Sequence, residues 1–284
     1  MASLKEVKTR INSVKSTRKI TSAMKMVASA KLHKAQGAIE NMLPYQKKLN
    51  KILTNFLSAD LPIESPYVQE REVKRVAIVV FSSNTSLCGA FNANVIKMMM
   101  QTIGEFRTLG QDNILIFPVG KKVDEAAKRM GFKPQEVSPT LSDKPTYQEA
   151  AELAHRLMDM YVAGEVDRVE IIYHHFKSMG VQILLRETYL PINLTNVVSE
   201  EDRENEEEVQ ENEIANDYII EPNAEELIAS LIPTVLSQKI FTATSFHSLP
   251  TTCRVKKSVI PPNRYVSDGV EHSPVICKRS VDIR

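Results

Sequence analysis

Apolar side chains recur in alternating steps of three and four from the start of the chain: Leu4, Val7, Ile11 and Val14, then Ala28, Leu32, Ala35, Ile39 and Met42, and further on Leu49, Leu53 and Phe56. That spacing is a heptad seam, an apolar stripe along one side of a helix that requires a second helix against it. From Ala2 to Phe56 there is one glycine, Gly37, and one proline, Pro44, and the filler is Lys, Ala, Met, Leu and Gln, all good helix formers. The pattern predicts a shaft-like helix over residues 1–57. At about 1.5 Å per residue such a helix is on the order of 60 Å long and projects from any domain built around it. In its middle the register falls on Arg18, Thr21 and Lys25, while Ile20, Met24 and Val27 sit one position away. The stripe shifts there, so the helix is expected to face something other than its seam partner.

The period then changes. Residues 58–72, with Pro62 and Pro66, read as a linker, and the run Val76 to Phe81 as a buried strand. A helix around Phe91 to Phe106, a strand from Ile114 to Val119, helices over Asp124 to Met130 and Tyr147 to Ala163, and a strand from Arg168 to Phe176 alternate as in a βαβ fold. Val181 to Tyr189 follows a short connection and pairs antiparallel with the strand before it. The expected fold class is therefore α/β: a long N-terminal coiled-coil helix plus a Rossmann-like domain, residues 73–198, with a mainly parallel sheet. An acidic surface loop over 199–217 and the start of a C-terminal shaft helix over 218–244 follow. Residues 245–284 hold four of the fourteen prolines and no sustained helical period, so they read as an atypical, disordered tail.

Net charge is near zero, with 36 Lys and Arg against 35 Asp and Glu, but the charges are segregated. Residues 1–51 hold twelve basic side chains and two acidic ones; Glu200 to Glu213 hold nine acidic and one basic. The basic end seeks an acidic partner, and nucleic acid and an acidic protein collar both qualify. Tyr45 is the first aromatic in the chain, and no interleaved stacking side chains accompany the basic residues, which favours the protein. No apolar run is long enough to span a bilayer, and Cys88, Cys253 and Cys277 are too widely spaced for a zinc site or a disulfide framework.

Candidate chemistry is sparse. Ser82 to Asn92 lies between a strand and a helix, where a phosphate loop would fall, but contains neither GxxxxGK[ST] nor a glycine-rich cradle around Gly89. His174 and His175 are neighbours on a strand and point to opposite faces, which prevents joint chelation. No catalytic, cofactor-binding or metal-binding set is assigned.

The first thirty-two residues, from Met1-Ala-Ser-Leu-Lys-Glu-Val through Ser-Ala-Met-Lys-Met-Val-Ala-Ser-Ala-Lys-Leu32, closely resemble the opening of ATP synthase gamma subunits. Three further stretches agree in order: Leu87-Cys-Gly-Ala-Phe-Asn92, Tyr189-Leu-Pro-Ile192, and Tyr218-Ile-Ile-Glu-Pro followed by Glu225-Glu-Leu-Ile-Ala-Ser-Leu-Ile-Pro233. The likeness covers about residues 1–243. It implies a non-catalytic central rotor shaft of an F-type, proton-translocating synthase, coupling c-ring rotation to conformational cycling of the beta-subunit sites. The implied partners are three alpha and three beta subunits, epsilon, delta and the c-ring, with no nucleic acid, no cofactor, and membrane contact only through the complex. By the same resemblance Lys15, Arg18, Lys19, Ile20, Met24, Lys25 and Val27 contact loops of the beta subunits, and Tyr218 belongs to the base near epsilon and the c-ring.

Two departures stand out. Asn84-Thr85-Ser86 replaces the family's usual Asp-Arg-Gly, and the family's C-terminal helix with its closing Gln-Ala-Ala-Ile-Thr-type signature is missing, so the tail is read as the product of a reading-frame shift near Ala243 to Ser245. The regulatory cysteine pair of chloroplast members is also absent, and thiol control is not implied. With no Arg-rich presequence, the expected setting is the cytoplasmic face of a bacterial inner membrane, as a peripheral protein. Two other classes compete: a coiled-coil adaptor with an α/β head that binds another acidic assembly, and a nucleotide-using enzyme.

Overall fold

The structure, a computed structural model, describes residues 3–58, 65–85, 88–142, 145–177, 181–192 and 224–259. The acidic stretch at 199–217, Tyr218 and residues 260–284 lie outside them.

Helix α1 runs from Leu4 to Ser58 and carries Pro44 in its interior. The α/β head follows with strand β1 (Val76–Phe81), helix α2 (Phe91–Glu105), strand β2 (Ile114–Val119), helix α3 (Lys121–Arg129), helix α4 (Tyr147–Val162), and strands β3 (Arg168–Phe176) and β4 (Gln182–Leu190); helix α5 (Ala224–Val259) closes the order. The sheet order is β2-β1-β3-β4, with β1 parallel to both β2 and β3 and β4 antiparallel to β3. The expected mainly parallel sheet with a hairpin edge is what forms.

Strand β1 is apolar at every position because helices cover both faces of the sheet. Alternate residues go to opposite layers. Val76, Ile78 and Val80 join Ile114, Ile116 and Ile172 under α2 and α3, with Val95, Met99, Val123 and Ala127 from those helices. Ala77, Val79 and Phe81 join Phe117, Val119, Ile171 and Tyr173 on the other face, where Leu153, Leu157 and Tyr161 of α4 and Ile232, Leu236 and Ile240 of α5 pack.

The second half of the heptad seam finds its partner in α5. Ala28, Leu32, Ile39, Leu49 and Leu53 are buried, and α1 packs chiefly along α5, which packs in turn on α4 and β3. The helix α5 is longer than the sequence pattern indicates. The expectation of a disordered tail from residue 245 is corrected over its first part, because α5 continues through Pro250 to Val259. An interior proline costs one backbone hydrogen bond and about 3 kcal/mol. The turns before it, with Leu236, Ile240, Ala243 and Phe246 all buried, supply enough packing to carry the helix past that defect.

The described part of the expected linker is docked rather than free. Arg71 donates to the Tyr161 carbonyl and lies over the Tyr161 ring, 4.4 Å from its centroid, while the Tyr161 hydroxyl donates to the Gln69 carbonyl at 2.6 Å. Burial pushes that phenol's pKa up.

Candidate coupling surface and a closed βα turn

The first seam segment has no partner among the described residues: Leu4, Val7, Ile11 and Val14 are all exposed, Leu4 at 86%. Around them Lys5, Lys8, Arg10, Lys15, Arg18 and Lys19 are exposed as well. The polar break behaves differently. Thr21 and Lys25 are half-buried, whereas Ile20, Met24 and Val27, on the shifted stripe, are more than half exposed. The seam register therefore runs straight through the break and keeps polar side chains on it, and the displaced apolar stripe faces outward. Of the seven residues assigned to beta-subunit contact, Lys15, Arg18, Lys19, Ile20, Met24 and Val27 are exposed on this one stretch of α1, and Lys25 lies at its edge.

The turn after β1 has the position of a phosphate loop, and among its described residues the Ser83 and Thr85 amides donate internally, to Asn92 Oδ1 and to the Ser83 hydroxyl. Ser83 N–H donates to Asn92 Oδ1 at 3.0 Å, and Asn92 Nδ2 donates back to the Thr85 carbonyl at 2.9 Å. At the start of α3, Lys121 N–H donates to Asn84 Oδ1 at 2.9 Å and Val123 N–H to the Ser82 hydroxyl at 3.1 Å. These are the orphan amides with which a helix N-terminus would greet an anion. Gly120 closes the space further: at φ +116° its backbone approaches so closely that a Cβ would lie 1.9 Å from the Ser82 carbonyl oxygen. Cys88 is buried in this turn, its thiol directed at the Thr85 carbonyl.

The two histidines diverge as their strand position requires. His174 stacks on Phe91 of α2 at 4.0 Å, and His175 meets Phe246 of α5 edge-on at 4.9 Å, on the other face. No group of three or more potential metal ligands occurs among the described residues.

Two polar clusters escaped the sequence reading. On the α2 side, the Glu170 carboxylate, 2% exposed, accepts from Arg168 Nε at 2.6 Å, Arg186 Nε at 3.0 Å and the Thr188 hydroxyl at 3.2 Å. On the α5 side, Glu187 pairs with Lys239 at 2.8 Å and accepts from the Tyr173 hydroxyl at 2.9 Å. The available signal was the presence of charged side chains, Arg168 and Glu170 in β3 and Arg186 and Glu187 in β4, within strands of a covered sheet; the pairings themselves are tertiary.

An extended helix with an exposed basic stretch, clamped through a second helix to an α/β head whose first βα turn carries no phosphate-loop motif, defines a shaft-type coupling protein. A sequence model of the family described as ATP synthase matches residues 3–248. The chain is 87% identical over 243 residues to the ATP synthase gamma chain of Bacteroides thetaiotaomicron, covering 86% of this chain and 82% of that one. It is 72% identical over 243 residues to the gamma chain of Bacteroides fragilis, covering 86% and 81%. The chain belongs to the ATP synthase gamma chain family. The fold is shared with the central stalk of the Tetrahymena thermophila mitochondrial ATP synthase (TM-score 0.55, 19% identity, 84% of this chain and 97% of that one). It is shared too with the rotor of the Euglena gracilis enzyme (TM-score 0.53, 18% identity, 89% and 87%).

Proposed function

We propose that this gamma chain is the turning shaft of its synthase and contributes no catalytic residue. The head sits at the base with epsilon and the c-ring, and α1 and α5 stand inside a ring of three alpha and three beta subunits, with delta in the same complex. Proton flow turns the c-ring and shaft, and the asymmetric surface of the shaft biases each beta site in succession between states of different nucleotide affinity. Lys15, Arg18, Lys19, Ile20, Met24, Lys25 and Val27 slide past the beta loops, and Tyr218 lies at the base. The complex holds the chain peripherally on the cytoplasmic face of a bacterial inner membrane. No helix among the described residues is long and apolar enough to cross a membrane, which agrees with attachment through partners.

The observation that carries this reading is the exposed, basic and apolar stretch of α1 from Leu4 to Val27, a surface built for enclosure by an acidic protein partner. Affinity purification of the tagged chain from bacterial membranes tests it: alpha and beta subunits should copurify in stoichiometric amounts. Recovery of another acidic assembly without them would favour the adaptor reading instead.

The tail belongs to the same proposal. The 87% identity extends over 243 of the 284 residues, and the family match ends at residue 248. A reading-frame shift near Ala243 to Ser245 accounts for that limit, and sequencing of independent clones across those codons should show one inserted or deleted nucleotide. An unbroken frame in every clone would make the divergent segment a genuine variant.

A further inference from the structure

Helix α5 lies between α1 on one side and α4 and β3 on the other, so α1 stands on the head largely through it. Most of that joint is apolar, built on Ile232, Leu236, Ile240 and Ala243. The apolar driving force is non-directional, and side-chain interdigitation leaves a range of nearby angles and positions open to α5 on the sheet. The pair between Lys239 and Glu187 is directional. Its N–O distance is 2.8 Å and each side chain is 20% exposed. The second carboxylate oxygen of Glu187 takes the Tyr173 hydroxyl at 2.9 Å. Glu187 belongs to β4 and Tyr173 to the adjoining β3, so the carboxylate is anchored across two strands before the helix engages it.

We propose that Glu187, held by Tyr173 and engaging Lys239, is the positioning residue that sets the angle and register at which the shaft helices stand on the head. The proposal rests on the rotor reading, in which that angle must hold while the head is turned. Partly buried ion pairs add little net stability, and their best-attested use is to select one register from several that an apolar face accepts. Angle and stability should therefore separate when the pair is broken.

The test uses the full-length chain with spin labels on Lys34→Cys in α1 and Ala93→Cys in α2, both exposed positions, in a Cys253→Ser, Cys277→Ser background; Cys88 is buried and stays. Double electron–electron resonance reads the distribution of distances between the labels. Glu187→Gln, Lys239→Met and Tyr173→Phe should each broaden that distribution by roughly twofold, with a smaller loss of melting temperature than Leu236→Ala gives. Lys239→Arg should keep it narrow. Leu236→Ala, at a position 2% exposed in the same joint, should lower the melting temperature instead. Parental width in both Glu187→Gln and Lys239→Met overturns the proposal, as does broadening that merely tracks lost melting temperature across all the variants. Neither result depends on assembly with other subunits, so a failure here is distinguishable from a failure of the rotor reading.

Discussion

Replacing Glu170 by Gln should loosen the β3–β4 hairpin measurably. The carboxylate is buried on the α2 side of the sheet, where two guanidinium groups and a hydroxyl converge on it. Arg186 is shared with Glu105 of α2 at 2.6 Å, and both arginines lie over the Phe106 ring at 5.8 to 6.0 Å, so the cluster ties two strands to one helix. Gln keeps the shape but removes the charge, and its NH2 group faces an N–H donor in place of an acceptor. Removing one member of a buried ion pair costs about 3 to 5 kcal/mol when the partner is left in a dry site. Here the arginine side chains are 36% and 23% exposed, and water reaches them. That lowers the expectation to about 2 to 3 kcal/mol. Hydrogen exchange followed by mass spectrometry should show amides of Arg168–Phe176 and Gln182–Leu190 exchanging roughly 30- to 150-fold faster, one decade for each 1.4 kcal/mol or so. Glu72→Gln, at a side chain 86% exposed, serves as the control and should change nothing. Acceleration below about threefold in Glu170→Gln would mean that the cluster does not hold the hairpin, and the reasoning would be refuted.

Gly120→Ala should be the more damaging of two turn substitutions, costing about 3 kcal/mol or more because backbone must move to admit the Cβ. Gly131→Ala, at φ +84° with its nearest neighbour at 3.5 Å, should cost only about 1 kcal/mol, and calorimetric melting of both variants checks the order. The isolated chain should bind no ATP, since the βα turn lacks the glycine-rich cradle and lysine that hold phosphates and Asn84 and Ser82 occupy amides at the start of α3; submicromolar, stoichiometric binding in equilibrium dialysis would contradict that. Lys25→Glu, at a partly exposed position outside the buried core, should cost the fold little but lower the protons pumped per ATP hydrolysed in an assembled complex. An unaltered ratio would remove Lys25 from the coupling surface.

Much of this molecule was legible in the chain itself because its signals are local and repeated. The run Val76 to Phe81 contains no polar residue, and only a strand covered on both faces tolerates that; its bounds and those of Ile114–Val119 and Arg168–Phe176 follow from composition alone. The 3–4 alternation likewise required α1 to be a helix with a partner. Where reading failed, the competing force was tertiary. Pro250 argues locally against a helix, and packing of the preceding turns overrode it.

The heptad positions are alike in sequence, yet Leu32 and Leu53 are fully buried while Leu4 is 86% exposed. Periodicity defines a face; whether a neighbour covers it depends on where α5 is placed by the head. The same holds for charge. The sequence by itself determined that the N-terminal helix is basic and apolar, that the head is α/β and that its turn lacks a phosphate motif. Only the tertiary structure decided that Asn84 and Ser82 occupy the amides of α3, that Glu170 sits between two arginines, and that Glu187 meets Lys239. Apart from Arg168 beside Glu170 on β3, these contacts join residues dozens of positions apart or on different elements, and a one-dimensional pattern carries periods and local preferences but no record of which distant side chains end within hydrogen-bonding reach.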